Sequence, residues 1–492
     1  MKKVAFAVLA AVILVMPLVA YAQGPNPGTG NTTIFVMNLD NSGPATVTAE
    51  FIDQTGATTY SDTDSVPYAG FKKWRTQDIG NLTPGWLGSL ILSSDKQIAA
   101  VAHIHWTGGV TAGGRDGITG ASYTGFAQGA LQVEVPSIFK RTYQSSRLSV
   151  QNTGSAPAQV EIDFFTRGEA TPVYTHSDTI PVGAERTYDV WDFSQIPTDM
   201  PTGGSNNWKG SARVRATGAN PQPVAVVVTT FWNYGSSAYA GLPSPATTLY
   251  APSLFMKNFG NWQIYSGLII ANPNASDAHV TFNFYNRDGT QAVAPANVTI
   301  GANSSDGFNT RYDADPNGPN PNGIFRPLYD SYPPNQKNWN GLAIITSDQP
   351  VVGIVNTIWR RPSERTATYA MLTPNDAGQT LYYPIVTKEY TGSWAQWTGS
   401  IFMNPGGSTA HTTATFYNSD GTPTGIAPTQ DIPSHGAKGW NTRYDADPGE
   451  PLQGLPSTWE GTMVVTSDVD IVGIANNLWA DRTVAYEAQK AQ

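Results

Sequence analysis

Apolar and polar residues alternate with a period of two along much of this chain. Val280, Phe282 and Phe284 alternate with Thr281, Asn283 and Tyr285, the spacing of a strand with one buried face. Asp288-Gly289 and Asp420-Gly421 follow two such runs and supply a turn that tolerates the left-handed backbone. Beyond the N-terminal stretch no segment sustains a 3.6-residue apolar pattern. The predicted elements are therefore short strands broken by Gly, Pro, Asn and Asp, which points to all-β sandwiches.

The pattern recurs on a long period. Trp86, Trp208, Trp339 and Trp459 each open a strand of small and apolar residues, and Trp106, Trp232, Trp359 and Trp479 each close a second strand about twenty residues on. The closing residues are 126, 127 and 120 positions apart, a domain-sized spacing. The chain reads as one unit copied four times: a signal peptide at 1–22, then copies at 23–128, 129–246, 247–378 and 379–492. The turns at Ser94-Asp95, Ser347-Asp348 and Ser467-Asp468 predict that the two Trp-marked strands form a hairpin. Copies three and four also share Asn-Thr-Arg-Tyr-Asp-Ala-Asp-Pro, at 309–316 and 441–448.

A further recurrent piece leads into copies two, three and four: Leu131 to Lys140, Leu249 to Lys257 and Leu381 to Lys388. Its central Pro confines it to an edge strand or a strand end. Copy one lacks it. Either copy one is a complete terminal cap, or its open edge takes a strand from another chain. In the second case the C-terminal Thr-Val-Ala-Tyr-Glu-Ala-Gln (483–489) is the nearest donor, and end-to-end assembly follows.

Four such units resemble the tandem immunoglobulin-like repeats of secreted bacterial surface proteins and adhesins. The resemblance implies a stalk, coat or binding rod. Four modules of roughly 35 Å in line would make a rod on the order of 140 Å.

Composition narrows the function classes. Met-Lys-Lys, an apolar run and Ala20-Tyr21-Ala22 form an export signal with cleavage before Gln23, so a bacterial extracellular or cell-surface location is expected, without membrane insertion after cleavage. The chain has no Cys, which excludes disulfides, thiol chemistry and lipid attachment at an N-terminal Cys. The net charge of −9 is spread thinly, with no basic stripe for a nucleic acid backbone.

Candidate chemistry is sparse. His103-Ile104-His105 has a spacing that can hold a metal, yet His105 occupies the slot of Phe231, Ile358 and Leu478, which argues for packing. His279 and His411 share one register and read as surface residues. No nucleophile elbow or facing pair of acids is evident, so no enzyme is expected. The best metal candidate is Asp313, Asp315 and Asn317, with Gly318 for the bend, as in the opening of a calcium loop; Asp445 and Asp447 form a looser version. The alternative there is a plain Asx turn, with Arg311 or Arg443 pairing to the neighbouring acid. The expected function is a non-catalytic structural or interaction protein, its partners being surface macromolecules, polysaccharide or copies of itself. The alternative is a carbohydrate-binding adhesin with a sugar site on one copy.

Overall fold

The computed structural model describes residues 26–491 except 111–115, 202–206, 234, 312, 314–322, 334–335, 362–364 and 480–481. The expected export signal at 1–22 lies outside the described residues. The fold is nearly all β. Copy one holds β1 (Asn26–Asn38), β2 (Ala45–Asp53), β3 (Thr58–Val66), β4 (Phe71–Arg75), β5 (Gly88–Ser94), β6 (Ile98–Val110) and β7 (Asp116–Thr124), in two sheets of order β4-β1-β6-β7 and β3-β2-β5.

Copy two opens with the lead-in strand β8 (Gln132–Arg141), followed by β9 (Gln144–Asn152), β10 (Ala158–Thr166), β11 (Pro172–Ile180), β12 (Glu185–Asp189), β13 (Asn207–Thr217), β14 (Val224–Trp232) and β15 (Gly235–Ala240). The order β11-β10-β13-β8 continues through the β8–β9 corner into β9-β14-β15. Copy three has β16 (Ala246–Phe259), β17 (Trp262–Asn272), β18 (Ala278–Asn286), β19 (Ala296–Ile300), β20 (Ser304–Asn309), the one-turn α1 (Arg326–Asp330), β21 (Lys337–Arg361) and β22 (Arg365–Ala370). Copy four has β23 (Gly378–Tyr390), β24 (Trp394–Met403), β25 (Ala410–Asn418), β26 (Thr429–Ile432), β27 (Ala437–Lys438), β28 (Thr458–Trp479), β29 (Thr483–Glu487) and β30 (Gln489–Lys490).

The expected Trp-marked hairpin does not form. The first half of β21 pairs with β16 and β18, while its second half pairs with β17 and β22. The chain crosses from one sheet to the other instead of folding back. Asp348 Oδ1 accepts from the His279 amide at 2.7 Å, and Asp468 Oδ1 from the His411 amide at 2.8 Å. These bonds fasten the crossover to the neighbouring strand, so the Ser-Asp pair marks a change of sheet.

The opening Trp explains the glycine two residues beyond it. A Cβ on Gly341 would lie 2.2 Å from Tyr285 O and 2.3 Å from the Trp339 ring, and one on Gly461 2.1 Å from Tyr417 O and 2.2 Å from the Trp459 ring. The indole folds across its own strand, and its Nε1 donates to Asn286 Oδ1 at 3.1 Å and, in copy four, to Asn418 Oδ1 at 3.0 Å. That bond satisfies the buried polar end of the ring.

A buried Asn ends one strand in every copy: Asn38, Asn152, Asn272 and Asn404. Asn404 Nδ2 donates to Ser408 O at 2.7 Å and Ile432 O at 3.0 Å, and its Oδ1 accepts from Gly406 N at 3.0 Å. The other three bind alike. Each ties a turn to a strand of the opposite sheet. The Pro of each lead-in strand sits at a register shift, and a Tyr closes the distortion: Tyr239 Oη donates to Ser137 O at 2.8 Å, and Tyr369 Oη to Ser253 O at 2.8 Å. Tyr486 Oη does the same to Ile385 O.

The copies do not extend in line. Ile269 and Ile354 of copy three join the core of copy two, and Ile401, Met403, Val472 and Ile474 of copy four join that of copy three. Phe35, Phe71 and Val101 of copy one join the core of copy four. One strand from each copy completes the circuit: β7 lies against β15, β15 against β22, β22 against β29, and β29 against β7. The expected rod is thus replaced by a closed cycle. The physical reason is that a head-to-tail contact between unlike faces closes when its rotation allows, and here it closes after four copies.

The C-terminal strand is also accounted for. β29 pairs with β28 and β30 with β23, inside copy four. The expected donation of this segment to another chain is therefore corrected: its own copy holds it.

Candidate functional site

The histidine pair belongs to the junction that closes the cycle. His103 and His105 lie on one face of β6 with ring centroids 6.5 Å apart. His103 packs edge-on to Phe35 at 5.1 Å and Trp479 at 5.9 Å, and His105 meets Trp479 at 5.1 Å. The Arg482 guanidinium lies 4.8 Å from the Trp479 ring centre. Burial, with Arg482 nearby, holds the His105 imidazole down to about 4, and burial takes His103 well below the usual range. The pair is neutral near pH 7 and packs as aromatic rings. Among the described residues no group of three His, Cys, Asp or Glu side chains is placed to hold a metal.

The slot equivalence found in the sequence has a geometric counterpart. Phe231, in the His105 slot of copy two, meets the closing Trp106 of copy one edge-on at 5.1 Å. Phe231 and His105 thus each reach the closing Trp of a neighbouring copy. His279 and His411 are exposed. His411 Nδ1 lies 2.7 Å from Asp431 Oδ1, and Asp431 and Asp468 raise its pKa.

The acidic loops are committed locally in part. Asp445 Oδ2 accepts from the Asn441 amide at 2.6 Å, and Asn441 Oδ1 accepts from the Arg443 amide at 2.9 Å. Burial raises the pKa of the Asp445 carboxyl. Asp313 repeats the arrangement, accepting from the Asn309 amide. Asp447 is exposed. Asp315 and Asn317 lie outside the described residues.

The recurrent Trp residues supply no open aromatic surface. Trp86 and Trp479 are half-buried and the other six marker residues are buried. Exposed rings gather instead where a lead-in strand turns into the next strand: Tyr143 in copy two, Phe259 and Trp262 in copy three, Tyr390 in copy four. In copy four Tyr390 and Trp394 are 5.2 Å apart, and the Arg443 guanidinium lies 4.7 Å from the Trp397 ring centre, 5.6 Å from that of Trp394 and 5.2 Å from that of Tyr444. Tyr444 is 52 % exposed. This aromatic and guanidinium cluster is set by one hairpin and one loop, with Tyr390 and Tyr444 exposed, Trp394 half-buried and Trp397 buried. Strand periodicity alone does not single out Tyr143, Phe259, Tyr390 or Tyr444. Their available signal was an aromatic flanking the turn after each lead-in strand.

No family model matches the chain, and no curated protein matches it. Among solved structures, one titled "Crystal Structure of Thermotoga maritima 1070" is similar to part of the chain: it is 14 % identical, covers 24 % of this chain and 97 % of its own, and has a TM-score of 0.19.

Proposed function

We propose that this chain is an exported, non-catalytic structural or interaction protein of a bacterial cell surface, its four immunoglobulin-like copies forming one platform. The observation that carries the reading is the division of its side chains. His103, His105 and the recurrent Trp residues are taken up by packing, whereas Tyr143, Phe259, Trp262 and Tyr390 stand exposed at equivalent turns. Exposed rings on stiff hairpins give contact area at little entropic cost.

The test is co-sedimentation of the exported chain with isolated bacterial envelopes. The wild type should sediment, and a variant carrying Tyr143→Ala, Trp262→Ala and Tyr390→Ala should stay in solution with an unchanged melting temperature. Equal sedimentation of the two proteins would overturn the reading.

A sugar site on copy four is the second reading, favoured by Arg443 among Trp394, Trp397 and Tyr444. It requires that soluble surface polysaccharide release the protein and that Trp394→Ala alone weaken binding. Calcium is a reading for Asp313, Asp315 and Asn317 and for Asp445 and Asp447, in which one oxygen of Asp313 and one of Asp445 also serve their own turns. A fall in melting temperature on chelation, absent in Asp315→Ala, would carry it; an insensitive protein leaves these loops as turns.

A further inference from the structure

Among the described residues, the sheet β3-β2-β5 of copy one has one strand fewer than its counterparts. In copies two, three and four the strand equivalent to β5 is paired on both edges, by β10 and β8, by β18 and β16, and by β25 and β23. Among the described residues β5 pairs with β2 alone. A row of backbone donors and acceptors is therefore left without a ladder partner.

The side chains around that edge register the same vacancy. Leu90 and Leu92 pack against the core of copy one but stay half-buried. Their counterparts Ala212 and Val214, Ala343 and Ile345, and Met463 and Val465 are at most 2 % exposed. Trp86 is half-buried, whereas Trp208 is 0 % and Trp339 1 % exposed. Leu87, beside it, is 59 % exposed, and Lys209, Asn340 and Glu460 occupy its slot.

Polar groups agree. In copy two the lead-in Lys140 Nζ donates to Phe193 O at 2.7 Å and Ile196 O at 2.8 Å. In copy four Lys388 Nζ donates to Leu455 O at 2.7 Å. The matching carbonyls of copy one, Ile79 and Leu82, follow the same 3-10 turn and have no lead-in Lys facing them among the described residues. Tyr123, the counterpart of Tyr239 and Tyr369, likewise meets no lead-in bulge carbonyl among the described residues.

We propose that the free edge of β5 is an acceptor site for an extended segment of another polypeptide, which adds antiparallel to β5 as a fourth strand. Its chemistry is that of the lead-in strands: alternating apolar residues, a Pro at the bulge and a Lys near the end. The donor is a foreign chain because β8, β16 and β23 are already paired at home, as are β29 and β30. On the export reading, cleavage after Ala22 leaves three residues ahead of β1. Main-chain pairing would supply affinity, and pockets over Leu90 and Leu92 would supply selectivity. The proposal rests on the interaction reading but uses a different surface from the exposed turn aromatics.

The probe is a synthetic peptide with the sequence of residues 131–141, titrated into the exported chain, which starts at Gln23. Saturable one-to-one binding is expected, with new hydrogen-exchange protection confined to 88–94. A peptide with Val133→Asp and Val135→Asp should bind at least tenfold more weakly, and this comparison leaves the folded protein untouched. The Tyr143, Trp262 and Tyr390 variant should bind the peptide normally, so that failure of the surface reading and failure of this one are separable. Absence of binding at millimolar peptide, or protection elsewhere, would overturn the proposal. An exported chain that is oligomeric alone and is dissociated by the peptide would overturn the foreign donor in favour of a second copy.

Discussion

Two junctions of the cycle use one geometry with different chemistry. Between copies one and two, Phe231 meets Trp106 edge-on at 5.1 Å; between copies four and one, His105 meets Trp479 edge-on at 5.1 Å. The first is a permanently apolar contact. The second places an imidazole beside Arg482, so this contact, at the junction that joins copies four and one, depends on protonation. His105 and Trp479 are hundreds of residues apart in the chain, so their contact closes a far longer loop than that of Phe231 and Trp106.

The largest effect should come from emptying the apolar junction. Phe231 is 3 % exposed, and Phe231→Ala should lower stability by about 3–5 kcal/mol, read as a shift in the denaturation midpoint. A loss under 1 kcal/mol would mean that the contact between copies one and two is slack.

Acid tests the contrast directly. The folded His105 titrates at about 4, below the ordinary 6.5, so between these values the unfolded chain binds a proton that the folded one refuses. Stability contributed by neutral His105 is intact above 6.5 and is lost as pH falls towards 4, by on the order of 3 kcal/mol. Glu487, buried beside Thr124 and the Ala370 amide, has its pKa raised by burial and acts in the opposite direction as pH falls. The decisive comparison is therefore between variants: His105→Phe should flatten the acid limb of stability against pH, and Phe231→His should steepen it. Parallel curves for all three proteins would remove the distinction between the junctions.

The smallest effect belongs to the ion pair between Lys73 and Glu460, which also joins copies one and four. Both side chains are about a third exposed, at 30 % and 37 %, so solvent screens the pair. Glu460→Gln should cost less than about 1 kcal/mol, and the loss should vanish at high salt. A larger, salt-independent cost would show that the closing junction relies on charge more than on its rings.

Much of each copy was legible in residue order. Alternation located the strands, and Trp-x-Gly marked the opening strand because the indole needs a neighbour without a Cβ. The slot comparison placed His105 with Phe231, which is where the structure packs it. The Ser-Asp turns misled, because a local turn signal does not state whether the chain folds back or changes sheet; bonds such as Asp348 to the distant His279 amide decide that. The exposed tips were missed since an aromatic beside a turn reads the same whether it faces solvent or a neighbour. Asn38, Asn152, Asn272 and Asn404 carry no local signal of their role as clamps, because that role lies in carbonyls 28 positions away in sequence.

By itself, the sequence determined the all-β class, the long-period recurrence of the Trp-marked strands and the lead-in strand with its proline. These follow from backbone periodicity and side-chain repetition, which act over a few residues. Tertiary structure alone decided that the Trp-marked strands lie in different sheets, that the C-terminal strand stays at home and that the copies close on one another. Those outcomes depend on the angle at which one copy's face meets the next and on backbone pairing across long stretches of chain. No local pattern encodes either quantity.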